Sequence, residues 1–405
     1  MGKNKQTDLF QSTLPRAPSL LTDAQRLDWL RLFRSKGIGP ITFRDLLNCY
    51  GSAQNAIAQI DGRERRGQVF RVSPLELAEA ELALAKMCDA QLTALGEPGY
   101  PHWLQTEDSA PPLLYIKGNQ ELATRPAAAI VGSRNASGPG MTFAGRLALE
   151  LGKAGFVVAS GLARGIDRAA HEAALPTGTI AVLGGGIDHV YPPQNAALYE
   201  KIAQTGLLIS ERPPGFRPQG KDFPRRNRLI SGLSLGVVVV EAAARSGSLT
   251  TARFAGEQGR PVFAVPGHPL DPRAHGTNQL LKDGALLVDR VDDILAVLSN
   301  QVEPSDHAAS SFKVEAVQDE SDRSKVDLNA PKAPPLSSSP CVQQQSLSAE
   351  QLREKVLEVL GPVPMDRDGL GRLLGVSAKD LQIALLELEL DGLIENHGQQ
   401  MVSLK

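Results

Sequence analysis

Cysteine is scarce in this chain: Cys49, Cys88 and Cys341 are the only three in 405 residues, and each lies in a different segment. Such scatter excludes a disulfide framework and a cysteine-based zinc site, and it suits a reducing cytoplasm. The seven histidines are equally dispersed, with no H-x-x-x-H or C-x-x-C, so no metal site is expected. No run of 18 apolar residues occurs, and the opening MGKNKQTDLFQSTLPRAPSL has no apolar core, so neither a membrane span nor a secretory signal is read. Aromatic residues make up 4%. Broad base-stacking platforms are therefore scarce, with Phe223 and Tyr191 the available candidates. What the chain does have is 42% apolar content, enough for two or three domains.

The net charge of −2 would argue against a nucleic-acid partner, but it conceals a local field. Residues 126–288 carry 17 Lys and Arg against 11 Asp and Glu, a net of +6, whereas residues 349–405 carry 6 against 10, a net of −4. Composition divides the chain further. Residues 1–20 read as a flexible arm, 21–95 as a small helical domain, 96–298 as the main core, 299–347 as a disordered linker rich in Ser, Pro, Gln and Asp, and 348–405 as a tail domain. In the helical domain, Thr22 is a candidate N-cap, and a helix through Leu27, Leu30, Leu32 and Phe33 stops at K-G-I-G-P. A second helix is expected over Thr42 to Tyr50. This is a SAM-like or helix-hairpin-helix pattern, with Arg34, Lys36 and Arg44 as the charges near its turn.

The core alternates apolar runs with helical stretches, the signal of a doubly wound, mainly parallel α/β sheet. The runs are AAAIV (127–131), FVVAS (156–160), TIAVL (179–183), LLIS (207–210), VVVV (237–240), VFAV (262–265) and ALLV (285–288), each read as a buried strand. The segments that follow them, GSR, GLARGID, GGG, ER, EAAARSGSLTTA and PG, would share the carboxyl edge of the sheet, where ligands bind. The loop V-G-S-R-N-A-S-G-P-G (131–140) matches neither G-x-G-x-x-G nor G-x-x-x-x-G-K-[ST] and carries Arg134 where those loops keep small residues. Glycines, hydroxyls and free helix amides there favour an anion, and Arg134 and Arg164 would grip phosphate oxygens bidentately. F-P-R-R-N-R-L-I-S-G-L-S (223–234) adds Arg225, Arg226 and Arg228 beside Phe223 and Asn227 as a backbone-gripping cluster.

The series VGSR, SGLARGID with His171, TIAVLGGGID with YPPQN, ISE, FPRRNRLISGLS, VVVVEA, RSGSLTTA, VPG and GTN resembles the DNA processing protein A family (DprA, also called Smf), through residues 97 to 290. The resemblance implies a Rossmann-like core that binds single-stranded DNA without cleaving it. It also implies protection of incoming DNA, loading of the RecA recombinase during natural transformation, action as a homodimer, and no cofactor. Carried over, the family's DNA pocket falls on Ser133 and Arg134, on Gly161 and Arg164, on Arg226, Asn227 and Arg228, and on Ser246, Gly247, Ser248 and Thr250. Some members place a lysine after the Tyr-Pro; Y-P-P-Q-N-A-A-L-Y-E has none, and Asn195 is the weaker substitute.

The competing reading is a nucleotide-processing enzyme. Glu241, at a strand's carboxyl end before R-S-G-S, is similar in position to the acid of lysine-decarboxylase-like phosphoribohydrolases, but their P-G-G-x-G-T is absent. G-L-S-L-G (232–236) matches a nucleophile elbow, yet Ser234 precedes its strand, on the wrong edge. Asp167 reads as a helix cap, His171 as a structural histidine on an apolar face, and Glu211 as a further acid/base candidate. The tail, helix (349–360), a Pro/Gly-bearing segment (362–376), helix (377–391) and a hairpin turning at His397-Gly398, resembles a winged helix. Its second helix offers Lys379 and Gln382 against Asp380, Glu387, Glu389 and Asp391, so a protein-contacting role is expected.

Overall fold

Thr22 opens the first helix as expected: in a computed structural model its side chain accepts from the Gln25 amide while Gln25 returns a bond to the Thr22 backbone, capping α1 (Asp23–Arg34). The structure describes residues 20–65, 68–301, 349–360, 365–397 and 401–404. Almost all of the expected arm and of the expected linker lie outside them, as does Gly398 of the expected wing turn. α2 (Pro40–Tyr50) begins two residues before the expected Thr42, because Pro40 takes the first helical position, where its missing N–H costs nothing. α3 (Ala53–Ile60), a short hairpin of β1 (Glu64–Arg65) and β2 (Gln68–Val69), and α4 (Leu75–Met87) complete the helical domain.

This domain shares one apolar core with the sheet: Leu30, Phe43 and Ile60 belong to the same buried cluster as Leu113, Tyr115 and Leu208. Ion pairs clamp the junction. Arg26 bonds Glu97 at 2.6 Å, and Arg34 bonds Glu81 at 2.8 Å, which also accepts from the Tyr115 hydroxyl. Arg44 reaches Asp108 and the Glu107 carbonyl. Two of the three charges expected to serve the helix-hairpin-helix turn are thus committed to holding the domain in place.

The sheet has nine strands: β3 (Gln91–Ala94), β4 (Leu113–Gly118), β5 (Ala127–Gly132), β6 (Val157–Ser160), β7 (Thr179–Val182), β8 (Leu207–Ser210), β9 (Val237–Val240), β10 (Val262–Ala264) and β11 (Leu286–Leu287), in the order 11-10-9-5-6-7-8-4-3. All neighbours from β11 to β8 are parallel; β4 and β3 add antiparallel strands at one edge. The intervening helices are α5 (Gly138–Lys153), α6 (Ile166–Ala174), α7 (Ala196–Thr205), α8 (Asp222–Gly232), α9 (Gly247–Glu257), α10 (His275–Lys282) and α11 (Val291–Leu298). Alternation along β5 shows why both faces need covering: Ala128 and Ile130 pack with α5, α6 and α11, while Ala127, Ala129 and Val131 pack with α8 and α9. Five of the seven apolar runs are buried strands, and the sixth, β10, buries Phe263 and Ala264 but only half-buries Val262. The seventh is corrected: in β11, Leu286 and Leu287 are exposed, because the strand is short and ends the sheet. From β5 the chain steps one way through β6, β7 and β8, then returns to β5's other side for β9. The switch point therefore lies between β5 and β9.

The described residues from 349 onward form a second unit. α12 (Ala349–Val359), β12 (Met365–Asp366), α13 (Arg367–Leu374), α14 (Ala378–Leu390), β13 (Ile394–His397) and β14 (Met401–Leu404) enclose a core of Leu352, Val356, Leu370, Leu381, Leu385 and Leu388. β14 pairs antiparallel with both β12 and β13, giving a winged helix. The segment 362–376, read as an interval between helices, contains α13.

Candidate nucleic-acid interface

Arg134, in the loop after β5, is exposed and sets its guanidinium 5.4 Å from the ring centroid of Phe223, within cation–π range. Phe223 stands in the first turn of α8. The Tyr191 ring, from the loop after β7, tilts against it at 37° with centroids 5.1 Å apart. Beside this stack lies a cleft of about 220 Å³, lined by Arg134, Gly161, Arg164, Tyr191, Phe223 and Arg226. Among the described residues no Asp or Glu lines it. Three cations and two aromatic faces thus converge at the carboxyl edge of the sheet, from the loops after β5, β6 and β7 and from the start of α8.

Arg226 is the buried member of the group. Its guanidinium donates to the Gly161 carbonyl at 2.7 Å and to the Val182 carbonyl, and its Nε donates to Asn227 Oδ1 at 3.2 Å. Burial lowers its pKa to about 10, with Asp167 opposing the shift and Arg134 adding to it, so it remains a cation at neutral pH. The guanidinium comes so close to the loop that a Cβ at position 161 would stand 2.6 Å from Nη2. Glycine at 161 is a steric requirement of the arginine beneath it.

The loop after β6 is held from below. Asp167 accepts from the amides of Gly161 (3.1 Å) and Ala163 (3.3 Å). Burial raises its carboxyl pKa, with Arg226 pulling the other way. Its expected role as helix cap is corrected: Gly165 holds the N-cap of α6 at φ +72°, where a Cβ would also strike the Ser133 carbonyl. Asn195 is corrected too. It is fully buried, and its Nδ2 donates to the Leu162 and Ala163 carbonyls, so it shapes the loop and presents nothing to a ligand.

His171 is a structural histidine. Its Nε2 accepts from the Leu162 amide, so Nδ1 carries the proton and donates to Thr179 Oγ1, whose own proton goes to the Val158 carbonyl. Burial pushes its pKa down to about 3, and the Arg226 cation adds to this. A folded value below the ordinary 6.5 stabilises fully above that pH and is lost as pH falls toward 3. Between pH 6.5 and 5 the loss should reach about 2 kcal/mol, at about 1.4 kcal/mol per unit. Urea denaturation of the parent and His171→Gln at pH 7 and 5 checks it: the variant should lose less stability between the two, and equal losses would contradict the assignment.

The structure separates the remaining expected site residues. Arg228 turns away from the cleft and donates to Glu211 and the Ser109 carbonyl, each at 2.6 Å. A helix spaces its side chains by about 100°, so three arginines in four residues cannot share a face. Arg226 points inward, Arg225 points to solvent, and Arg228 meets Glu211, which engages that acid/base candidate as a structural partner. Asn227 donates to the Gly247 carbonyl, tying α8 to α9. Ser246 caps α9 and shares a hydroxyl bond with Ser248 at 2.7 Å. With Gly247 and Thr250 they stand at the end of β9 without lining the cleft. Ser133 supports its own turn, accepting from the Asn135 amide. Ser234 is buried at the amino edge and donates to the Ile230 carbonyl.

Glu241 occupies the switch point itself. Its carboxylate accepts from the Ser137 amide at 2.8 Å and from the Ser137 hydroxyl, and a Cβ on Gly140 would collide with it. The amino end of α5, where a dinucleotide fold would receive phosphate, is filled by the chain's own carboxylate.

The description DNA recombination-mediator protein A matches residues 91–299, with a DprA-like N-terminal HHH domain over 23–84 and a DprA winged helix domain over 331–400. The chain belongs to the DprA family. Among relatives, protein Smf of Synechocystis sp. is 30% identical over 406 residues, covering 92% of this chain and 97% of that protein. DNA processing protein DprA of Streptococcus pneumoniae is 46% identical over 199 residues, or 49% of this chain and 70% of that one. The X-ray structure of the Streptococcus pneumoniae DprA matches with a TM-score of 0.52 and 35% identity, covering 68% of this chain and 92% of that one. Membership accounts for the helix-hairpin-helix, core and winged-helix order. Among the described residues no helix is long and apolar enough to cross a membrane, and no cluster of His, Cys, Asp and Glu could hold a metal ion.

Proposed function

We propose that this chain binds single-stranded DNA without chemistry, gripping phosphates with Arg134 and Arg164 above the Arg226 cation and stacking an unpaired base against Phe223 or Tyr191. The observation that carries this is the cleft, with three arginines, two aromatic faces and, among the described residues, no lining carboxylate. A slot of about 220 Å³ between side chains suits an unstacked base, whereas a duplex keeps its bases paired. The relatives' names, DNA processing protein and recombination mediator, support the same role. Fluorescence anisotropy with one labelled oligonucleotide, single-stranded and annealed, tests it: the single strand should bind more tightly, and equal affinity for both would overturn the reading. Family resemblance further supports protection of incoming DNA, delivery of RecA during natural transformation, a homodimer and a cytoplasmic site. Co-sedimentation with purified RecA on a DNA-coated bead addresses the partner.

The tail fits a protein contact better than a DNA-reading one. The exposed face of α14 shows Lys379, Gln382, Ile383, Leu386 and Glu389, so one basic and one amide group stand beside two large apolar side chains and an acid, a sparser basic set than groove reading calls for.

The engagement of Glu241 with Ser137 counts against nucleotide processing. Glu241→Gln should therefore leave single-strand affinity within about twofold while costing about 0.5–1 kcal/mol of stability, from removal of the carboxylate at the α5 amino end. Incubation with nucleoside monophosphates should release no base. Base release by the parent that vanishes in the variant would restore the enzyme reading.

A further inference from the structure

The lining of the cleft is rich in donors and poor in acceptors. Arg134, Arg164 and Arg226 carry only N–H groups on their side chains. The loop beneath has its polar backbone already engaged: the Gly161 and Ala163 amides donate to Asp167, while their carbonyls accept from Arg226 and from Asn195 (3.1 Å). Pro192 and Pro193 have no N–H, and their carbonyls accept from the Asn195 and Ala196 amides. Among the described side chains that line the cleft, Gln194 alone sets a donor and an acceptor side by side, on its planar amide. It is exposed, and that amide makes no hydrogen bond among the described residues. Tyr191 adds a hydroxyl, but this lies in the plane of its ring, whereas a base stacked on the ring lies above that plane.

An unpaired base brings a matching edge. On the Watson–Crick side of every base an N–H donor stands next to a ring-nitrogen or carbonyl acceptor, so a planar amide can meet any of them with two parallel hydrogen bonds. In a duplex those edges face each other and are hidden. The backbone that presents Gln194 is fixed beside the cleft. It follows two prolines, whose rings set φ, and precedes Asn195, which is buried and tied to the Leu162 and Ala163 carbonyls.

We propose that Gln194 hydrogen-bonds the Watson–Crick edge of the unpaired base that stacks in the cleft, whichever base that is. The inference rests on the DNA-binding reading and deepens it: the arginines select a phosphate chain, and Gln194 selects a base that has no partner. Since every base offers the same donor–acceptor pattern, the contact favours single strands without favouring a sequence.

The test compares the full chain with Gln194→Met, which keeps the length of the side chain and removes its hydrogen bonds. Anisotropy titrations use oligo-dT, oligo-dA and oligo-dC of equal length, and a strand of that length whose bases are replaced by abasic tetrahydrofuran units. The variant should bind each of the three base-bearing strands about fivefold more weakly than the parent, the effect of one or two net hydrogen bonds. On the abasic strand the two proteins should agree, because the phosphates are unchanged. Circular dichroism should show the same fold for both, as the side chain is exposed. Equal weakening on the abasic strand would overturn the proposal, since Gln194 would then touch the backbone. So would no weakening on any strand, weakening confined to one of the three bases, or a parent that binds the abasic strand as tightly as the others. A parent that bound none of the strands would instead sink the DNA-binding reading, and the inference with it.

Discussion

Arg134→Ala should weaken single-strand binding by about 1.5–3 kcal/mol, the worth of a charge-assisted bond to a phosphate, while leaving stability unchanged. The side chain is exposed, and among the described residues it leans only on the Phe223 ring, so its removal costs the fold almost nothing. Counterion release supplies a sharper signature. Taking one cation off a single strand's phosphates should flatten the plot of log affinity against log salt by about 0.7. The weakening should also be uniform across oligonucleotide sequences, because a phosphate carries no base identity. Anisotropy titrations at three or four salt concentrations measure both quantities. A folded variant with parental affinity and an unchanged slope would remove Arg134 from the interface.

Arg226→Ala should behave differently, lowering binding and stability together. Deletion strips the Gly161 and Val182 carbonyls of their donor and leaves the buried Asp167 without a nearby cation. Each buried acceptor left unpaired costs about 1–3 kcal/mol, so about 3 kcal/mol or more of stability should go. Arg226→Lys should recover only part, since an ammonium cannot reproduce the planar fork that serves two carbonyls and Asn227 at once. Urea denaturation of the three proteins beside their oligonucleotide affinities gives the comparison. Parental stability in Arg226→Ala would show that the buried guanidinium does not tie the loop after β6 to α8. The pair of variants would thus separate a residue that only contacts a ligand from one that also builds the loop.

The same contrast runs through what was legible in the amino-acid order. Parallel strands buried on both faces must be apolar throughout, so AAAIV, VVAS and VVVV announce themselves, and the glycines and Arg134 that follow announce the carboxyl edge. β3, with its polar Gln91 and Thr93, and the eight-residue α13, with Gly369 and Gly371 inside it, lack so clear a pattern. Residue type also pointed to Arg134 and Arg164 at that edge and to Tyr191 and Phe223 as aromatic faces, which the fold brings together in one cleft.

Composition and spacing by themselves determined the kind of fold, the order of its parts, the basic core, and the arginines and rings available for a phosphate chain. Only the tertiary structure decided which of them work together. Arg225, Arg226 and Arg228 are alike in sequence, but the turn of α8 sends one to solvent, one beneath Gly161 and one to Glu211. Glu241 and Ser137 lie 104 residues apart, yet the crossover at β5 and β9 brings them into contact at the switch point. Local pattern records what a side chain is. Its partner depends on where distant backbone is carried, and for buried charge the partner settles whether it grips a ligand or holds the fold.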